Sequence, residues 1–421
     1  MMTILPLYID PGTGSMLFSI LIGATATVFF IAKAFWLKLK LFITGGKGGK
    51  TDKSYKKYVI YSEDKRYWNV FKPILDEFEA RKTEITYYVA NDQDPFFDEH
   101  YQYVKAEVIG EGNKAFAKLN MLSAGIVLMS TPGLQVYQLK RSKNVKHYSH
   151  IFHSCTDSTM YRLFGTDYFD SILMTGDYQA EDIRFLEKQR GLPAKELVTV
   201  GCTYLDVLKE KMASIPAEKD HKFTVLVSPS WGPSALLSLY GEKLLDPLVA
   251  SGFHIILRPH PQSKKSESEM LARLEERYKN AENLEWDSNR DNFYSMKRAD
   301  LMISDFSGIV YDYTFLCDKP VMYATTEMEL GPYDAYDCGH EIWAVSTLHK
   351  IGIELKEADF PNIKQIIQNA SDSPDLAAKR AEAKAEGWMH IGEAAKRTTD
   401  YMFKIMEENS ESQETAREEK A

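Results

Sequence analysis

The chain has few cysteines, and they are far apart. Cys155, Cys202, Cys317 and Cys338 are the only four in 421 residues. They show no C-x-x-C spacing and no set of close pairs, which excludes a disulfide framework and fits reduced thiols in a cytosolic compartment. An excess of positive charge is also lacking. The formal net charge of -9 argues against nucleic acid as a partner while leaving room for a local basic patch that serves an anionic ligand. With 44% apolar and 26% charged residues, neither a disordered nor a fibrous chain is indicated, and the length suits about two domains. No D-x-D motif stands in a suitable strand context, so nothing in the sequence calls for a metal or other cofactor. A complete phosphate loop is missing too. In "ITGGKGGKT", with Gly49, Lys50 and Thr51 fixed, the first glycine should fall at Thr44, and the spacing fails by one.

Long apolar runs are equally scarce, with one exception. From Met16 to Ala32 the chain reads "MLFSILIGATATVFFIA" without a charge, and Phe35, Trp36 and Leu37 extend it towards the roughly 20 residues that span a bilayer. The start "MMTILPLYIDPGTGS" has no Lys or Arg, unlike a signal peptide. Lys33, Lys38, Lys40, Lys47, Lys50, Lys53, Lys56 and Lys57 follow the run, which by the positive-inside rule puts the N-terminus outside and the rest in the cytoplasm. The expectation is a single-pass protein of the cell inner membrane. It has a short extracytoplasmic stretch over 1–15, a transmembrane anchor over 16–37 and a basic linker over 38–57, the last suited to anionic headgroups.

Beyond the linker, short β-rich runs alternate with longer amphipathic stretches, the pattern of an α/β fold with parallel sheets. "KYVIYS", "EITYYVA", "GIVLMS", "YSHIFHS", "SILMTG" and "LVTVG" make one series; "FTVLVSPS", "FHIILRPH", "NLEW", "ADLMIS" and "PVMYA" make a second. The polar stretch "KEKMASIPAEKDHK" separates them. Two Rossmann-like domains facing a cleft are expected, an N-terminal acceptor domain over 58–212 and a C-terminal nucleotide-binding domain over 222–390. A last helix over 391–408 is expected to pack back on the first domain, and a disordered tail over 409–421 to follow.

In such sheets ligands sit outside the carboxyl ends of the strands, and several strands here end in reactive side chains. "FHIILRPHPQ" delivers Arg258, His260 and Gln262, with Pro259 and Pro261 stiffening the turn. "FTVLVSPSWGP" ends in Ser228, Ser230 and Trp231, and "HYSHIFHSCTD" in His153 and Ser154. "LVTVGCTYLD" places Gly201, Cys202 and Thr203 at a strand-to-helix turn, and "LMISDFSGIVYDYTF" places Ser304, Asp305, Ser307 and Gly308 at another. A helix starting near Ser307 offers unpaired N–H groups and a positive dipole end to a phosphate. Gly308 permits close approach, and Asp312 one turn on can accept from a ligand hydroxyl. The competing reading is that Ser304 or Ser307 simply caps a helix.

Other residues have plainer explanations. His147, His150 and His153 recur every three residues, but on a strand His150 points away from the other two, so they do not converge as metal ligands do. His340 on a loop is read as structural. Trp231 has both base stacking and core packing open to it. Asp206 suits a helix start through the dipole alone.

Taken in order, "IFHS…MYR", "VGCTYLD", "VLVSPSWGP", "ILRPHPQ" and "MISDFSGIVYDYTFLCDKPVMY" resemble the CDP-glycerol glycerophosphotransferase family, the teichoic acid primase and polymerase type, over roughly Tyr58 to Tyr323. The resemblance implies a GT-B-like arrangement of two domains at the inner face of the membrane. It also implies transfer of glycerol phosphate from CDP-glycerol to a hydroxyl of a lipid-linked or glycan acceptor, with CMP released. His153 stands at the family's H-G-T-P-x-K histidine, implying a general base. His260 matches the second family histidine, implying stabilisation of the pyrophosphate or the leaving CMP. Ser304, Ser307 and Gly308 match the nucleotide phosphate site, and Asp312 matches a polar residue of the same helix. Arg258, Ser230 and Asp305 join this expected binding set. After His153 the chain reads Ser-Cys-Thr-Asp where the family has Gly-Thr-Pro-Leu, a departure that bears on acceptor identity and resembles a Gram-negative-type branch.

Three functions therefore compete. The first is this membrane-anchored transferase of cell-envelope glycopolymers. The second is a GT-B nucleotide-sugar glycosyltransferase for lipopolysaccharide or capsule, using the same phosphate site. The third is an inactive scaffold of envelope assembly, whose role would survive loss of both histidines.

Overall fold

Apolar stretches that alternate between two sheet faces build the first half of the structure, a computed structural model that describes residues 55–216, 220–289, 291–324, 326–371 and 373–418. The anchor expected at 16–37 and the linker up to residue 54 lie outside the described residues. Among the described residues no helix is long and apolar enough to cross a membrane. The first sheet comprises β1 (Lys56–Ser62), β2 (Ile85–Val89), β3 (Val104–Val108), β4 (Ser123–Met129), β5 (Asn144–Ile151), β6 (Ser171–Met174) and β7 (Glu196–Thr199). These pair in parallel in the order β3-β2-β1-β4-β5-β6-β7. Along β1, Tyr58 and Ile60 enter one core and Val59 and Tyr61 the other, so both faces are buried, as helices on both sides of a parallel sheet require.

The second sheet repeats the plan. It holds β8 (Thr224–Val227), β9 (His254–Leu257), β10 (Leu284–Trp286), β11 (Leu301–Ser304), β12 (Val321–Ala324) and β13 (Gly352–Leu355), all parallel, in the order β10-β9-β8-β11-β12-β13. In both sheets the strand order reverses direction beside the first strand, between β1 and β4 and between β8 and β11. Ligand crevices open at such switch points.

Two edge strands were not in the expected series. β3 reads VKAEV and β13 reads GIEL. Each has a neighbour on one side only, so a continuous apolar run is not required of it.

The C-terminal helix, Ala394–Glu418, returns to the first sheet, where Tyr401, Met402, Ile405 and Met406 pack with Tyr58, Phe78 and Ile126. It also corrects one expectation. The segment from 409 was read as disordered, yet the helix continues to Glu418. The stretch contains neither Pro nor Gly, and extending a helix already nucleated costs little.

The crossing to that helix explains two features of "VGCTYLD". Gly201 has φ +97°, and a Cβ there would stand 2.6 Å from the Met389 carbonyl oxygen. Asp206 accepts from Gly392 N at 2.8 Å and from Trp388 Nε1 at 3.2 Å, so its carboxylate ties down the crossing segment. Gly201→Ala combines a disfavoured backbone conformation with this collision. It is expected to cost about 1–3 kcal/mol, read as a lower urea midpoint.

A candidate active site between the two sheets

The carboxyl ends of both sheets open on one cleft of about 530 Å³, lined from the first half by Lys65, Arg66, Tyr67 and His153, and from the second by Arg258, His260, Ser307, Gly308 and Asp312. Each side is set by a short turn after a buried strand. After β1, Asp64 accepts from Arg66 N at 2.8 Å, which fixes the tight turn Lys65–Tyr67 at the first switch point. After β5 the chain delivers His153, whose ring meets Tyr67 edge to face with centroids 5.3 Å apart.

His153 is half-buried, and its Nδ1 is buried without a hydrogen-bond partner. Burial, and then the nearby Arg66 guanidinium, push its pKa down to about 4. The imidazole is therefore neutral at pH 7 and holds a free lone pair. His260 lies in the rigid Pro259–Pro261 turn. Gln262 N donates to its Nδ1 at 3.1 Å, which leaves the proton of the neutral ring on Nε2. Burial lowers its pKa; Glu267 pulls the other way and Arg66 adds to the lowering. The Arg66 charge thus acts on both histidines, one from each sheet, and Trp231 stacks 6.3 Å from the His260 ring.

At the second switch point, the helix Ile309–Cys317 starts from Gly308. A Cβ at Gly308 would meet nothing within 4 Å, so the N-terminal turn is open to the cleft and its N–H groups can receive an anion. Asp312, in the first turn, is buried to 7% exposure. Its Oδ1 has no partner, and burial raises its pKa to about 7.

The expected binding residues divide into two groups. His153, His260, Arg258, Ser307, Gly308 and Asp312 share the cleft. Arg258 does so as part of a pair, donating to Asp287 at 2.6 Å and to the Asn289 carbonyl at 3.0 Å. Ser304, Asp305 and Ser230 do not line it, which corrects their expected role as ligand contacts. Ser304 is fully buried and donates to the Ser228 carbonyl at 2.6 Å. Asp305 is fully buried and accepts from Ser230 N at 2.8 Å, Ser307 N at 3.1 Å and Leu236 N at 2.9 Å. Burial raises its pKa against the pull of those N–H groups. These residues shape the two loops that carry the phosphate site. Asp305→Ala would leave three donors unmet and is expected to cost of the order of 3 kcal/mol, measured by urea unfolding.

Sequence reasoning missed the cations opposite. Lys65 and Arg66 follow β1, where the rule that strand ends carry function would have found them. Lys211 lies at the end of the helix Thr203–Ala213, in a stretch read as a boundary. It reaches the cleft wall held by Asn69 Oδ1 at 2.9 Å, and only the folded arrangement reveals it. With Arg258, these side chains give the cleft a cationic lining in a chain of net charge -9. Of the other histidines, His150 is enclosed by Phe152, Tyr161 and Phe169 and His147 faces Ser171 and Tyr401. His150 and His153 meet the same Tyr161 ring.

Comparison with known proteins agrees with the family resemblance read from the sequence. The pattern of the family described as CDP-Glycerol:Poly(glycerophosphate) glycerophosphotransferase matches residues 178–336. That stretch includes His260, Ser307, Gly308 and Asp312 but not His153. No curated protein matches over the sequence. Among solved structures, the wall teichoic acid polymerase TagF aligns with TM-score 0.55 at 15% identity, over 84% of this chain and 90% of its own. A TagF variant soaked with CDPG aligns with TM-score 0.54 at 16% identity, over 92% and 98%. The UDP-GlcNAc 2-epimerase of Neisseria meningitidis bound to UDP-GlcNAc gives 0.52 at 14%, over 83% and 100%. These neighbours share the α/β fold of two parallel sheets, a GT-B-like arrangement. The family match within that fold supports an enzyme of the glycerophosphotransferase kind.

Proposed function

We propose that the protein transfers glycerol phosphate, or a related polyol phosphate, from CDP-glycerol to a hydroxyl acceptor in the assembly of a cell-envelope glycopolymer. The observation that carries this reading is the pair His153 and His260, brought from opposite sheets under one guanidinium beside a helix N-terminus; His260 and that helix lie within the residues 178–336 that match the family.

The residues divide the work as phosphoryl transfer demands, where positioning and neutralisation of charge dominate. The acceptor oxygen attacks the phosphorus that bears glycerol, and neutral His153 takes its proton. The bond from that phosphorus to the bridging oxygen of CMP breaks, and CMP leaves with the electron pair. His260 donates through Nε2–H to the departing phosphate, while the N-terminus at Gly308 and the side chains of Arg66 and Lys211 balance its charge. Asp312 accepts from a hydroxyl of the donor. The apolar segment at 16–37 would hold the enzyme at the inner membrane, next to a lipid-linked or glycan acceptor.

Calorimetry on the full chain tests the donor. CDP-glycerol should bind, and should bind more weakly to His260→Ala and Ser307→Ala. Preference for a UDP- or GDP-sugar would instead support the glycosyltransferase, and absence of any nucleotide binding the scaffold.

A further inference from the structure

A second pocket, of about 310 Å³, lies along two helices that also line the cleft. The helix Thr203–Ala213 gives Tyr204, Leu208 and Lys211 to the cleft and Lys209 and Met212 to this pocket; the helix Ile309–Cys317 gives Ile309 and Asp312 to the cleft and Leu316 and Cys317 to the pocket. Lys297 and Lys319 complete the wall. Lys384 joins them. Its ammonium and that of Lys209 stand over the same Trp388 ring, at 5.5 and 6.0 Å from the centroid, and the Cys317 thiol feels Lys319, Lys297 and Lys384 together.

Like charges gathered round an apolar floor repel one another, the more so where Lys319 and Lys384 are half-buried. Three carboxylates near this group offset part of its charge. Asp300 pairs with Lys319 through Oδ1 at 3.7 Å and with His221 through Oδ2 at 2.7 Å, and Lys319 also donates to the Ala299 carbonyl. Asp318 pairs with Arg380 at 3.3 Å, and Asp206 holds Gly392 and Trp388. Four lysines and Arg380 against Asp206, Asp300 and Asp318 still leave an excess of positive charge over a floor made by Met212, Leu316 and Cys317.

We infer that this pocket is a second binding site, taking a phosphate ester with a small carbon skeleton. The lysines receive the phosphate and the thioether, thiol and leucine receive the carbon part. Its size is at the lower end of ligand sites, suited to a headgroup-sized molecule. Because the pocket shares its helices with the cleft, occupancy there bears on the position of Tyr204 and Asp312. The inference stands apart from the proposed activity.

Glycerol 3-phosphate, titrated into the full chain, is the probe, read by calorimetry and by amine-labelling mass spectrometry. Expected is a saturable site whose filling protects Lys209, Lys297 and Lys319 from labelling. The double variant Lys209→Ser/Lys297→Ser, altered at exposed positions, should lose that site while keeping its thermal midpoint and its binding of CDP-glycerol. A site unaffected by the double variant, or saturation without protection of these lysines, would overturn the inference. Two sources of the anion are then distinguished with vesicles. Displacement of the probe by phosphatidylglycerol but not phosphatidylcholine vesicles assigns a lipid headgroup, and no displacement by either assigns a soluble phosphate ester.

Discussion

Alanine at His153 or at His260 is expected to lower turnover by about 10²–10⁴-fold, the range for loss of a positioned acid or base, while leaving the fold intact. The two variants should differ in character. Loss of His153 removes the proton acceptor and should depress kcat with donor affinity largely kept. Loss of His260 removes the Nε2–H donor at the departing phosphate and should weaken both turnover and donor binding. The pH dependence follows from the low His153 pKa of about 4. Its base form is present above that value and lost below it, so the acid limb of kcat/KM assigned to this residue belongs near pH 4. An ordinary histidine would place that limb near 6.5. The limb should vanish in His153→Ala, which steady-state kinetics across pH 3.5–8 would show.

Asp312→Asn is expected to stabilise the protein and to weaken the donor. The carboxyl is buried with an unpartnered oxygen, and its folded pKa of about 7 lies above its ordinary 3.8. Between those values the folded state holds a proton that the unfolded state has lost. Wild-type stability therefore falls as pH rises from about 4 through about 7, and is level above that. Relative to the asparagine variant the deficit grows over that window, up to about 4 kcal/mol at 1.36 kcal/mol per pKa unit. Urea midpoints of the two proteins at pH 5 and pH 8 measure it. A stability difference that does not grow between those pH values would show that the site hydrates or pairs this carboxyl. Such a destabilised carboxyl at a cleft fits a group kept for the ligand, whose hydroxyls supply the missing hydrogen bonds.

How much of this was legible in the sequence depends on what each residue faces. Central strands such as GIVLM and SILM are buried on both faces and read as unbroken apolar runs. Edge strands VKAEV and GIEL carry polar residues because solvent reaches them, so the pattern is lost. The phosphate turn shows the same limit at the scale of single side chains. Ser304, Asp305, Ser307 and Gly308 fall within one short turn of the sequence, but the turn sends Ser307 and Gly308 to the cleft and folds Ser304 and Asp305 inward. A short motif marks the place and does not say which way each side chain points. Lys211 was invisible for another reason. Its role comes from Asn69, 142 residues earlier, and no local signal encodes that contact.

Product analysis by phosphorus NMR tests the central claim most directly. The enzyme, CDP-glycerol and an acceptor-bearing membrane fraction should yield CMP and a new phosphodiester in equal amounts, with His153→Ala and His260→Ala nearly silent. Release of CDP in place of CMP, or consumption of a nucleotide sugar while CDP-glycerol stays intact, would contradict transfer of glycerol phosphate in this cleft.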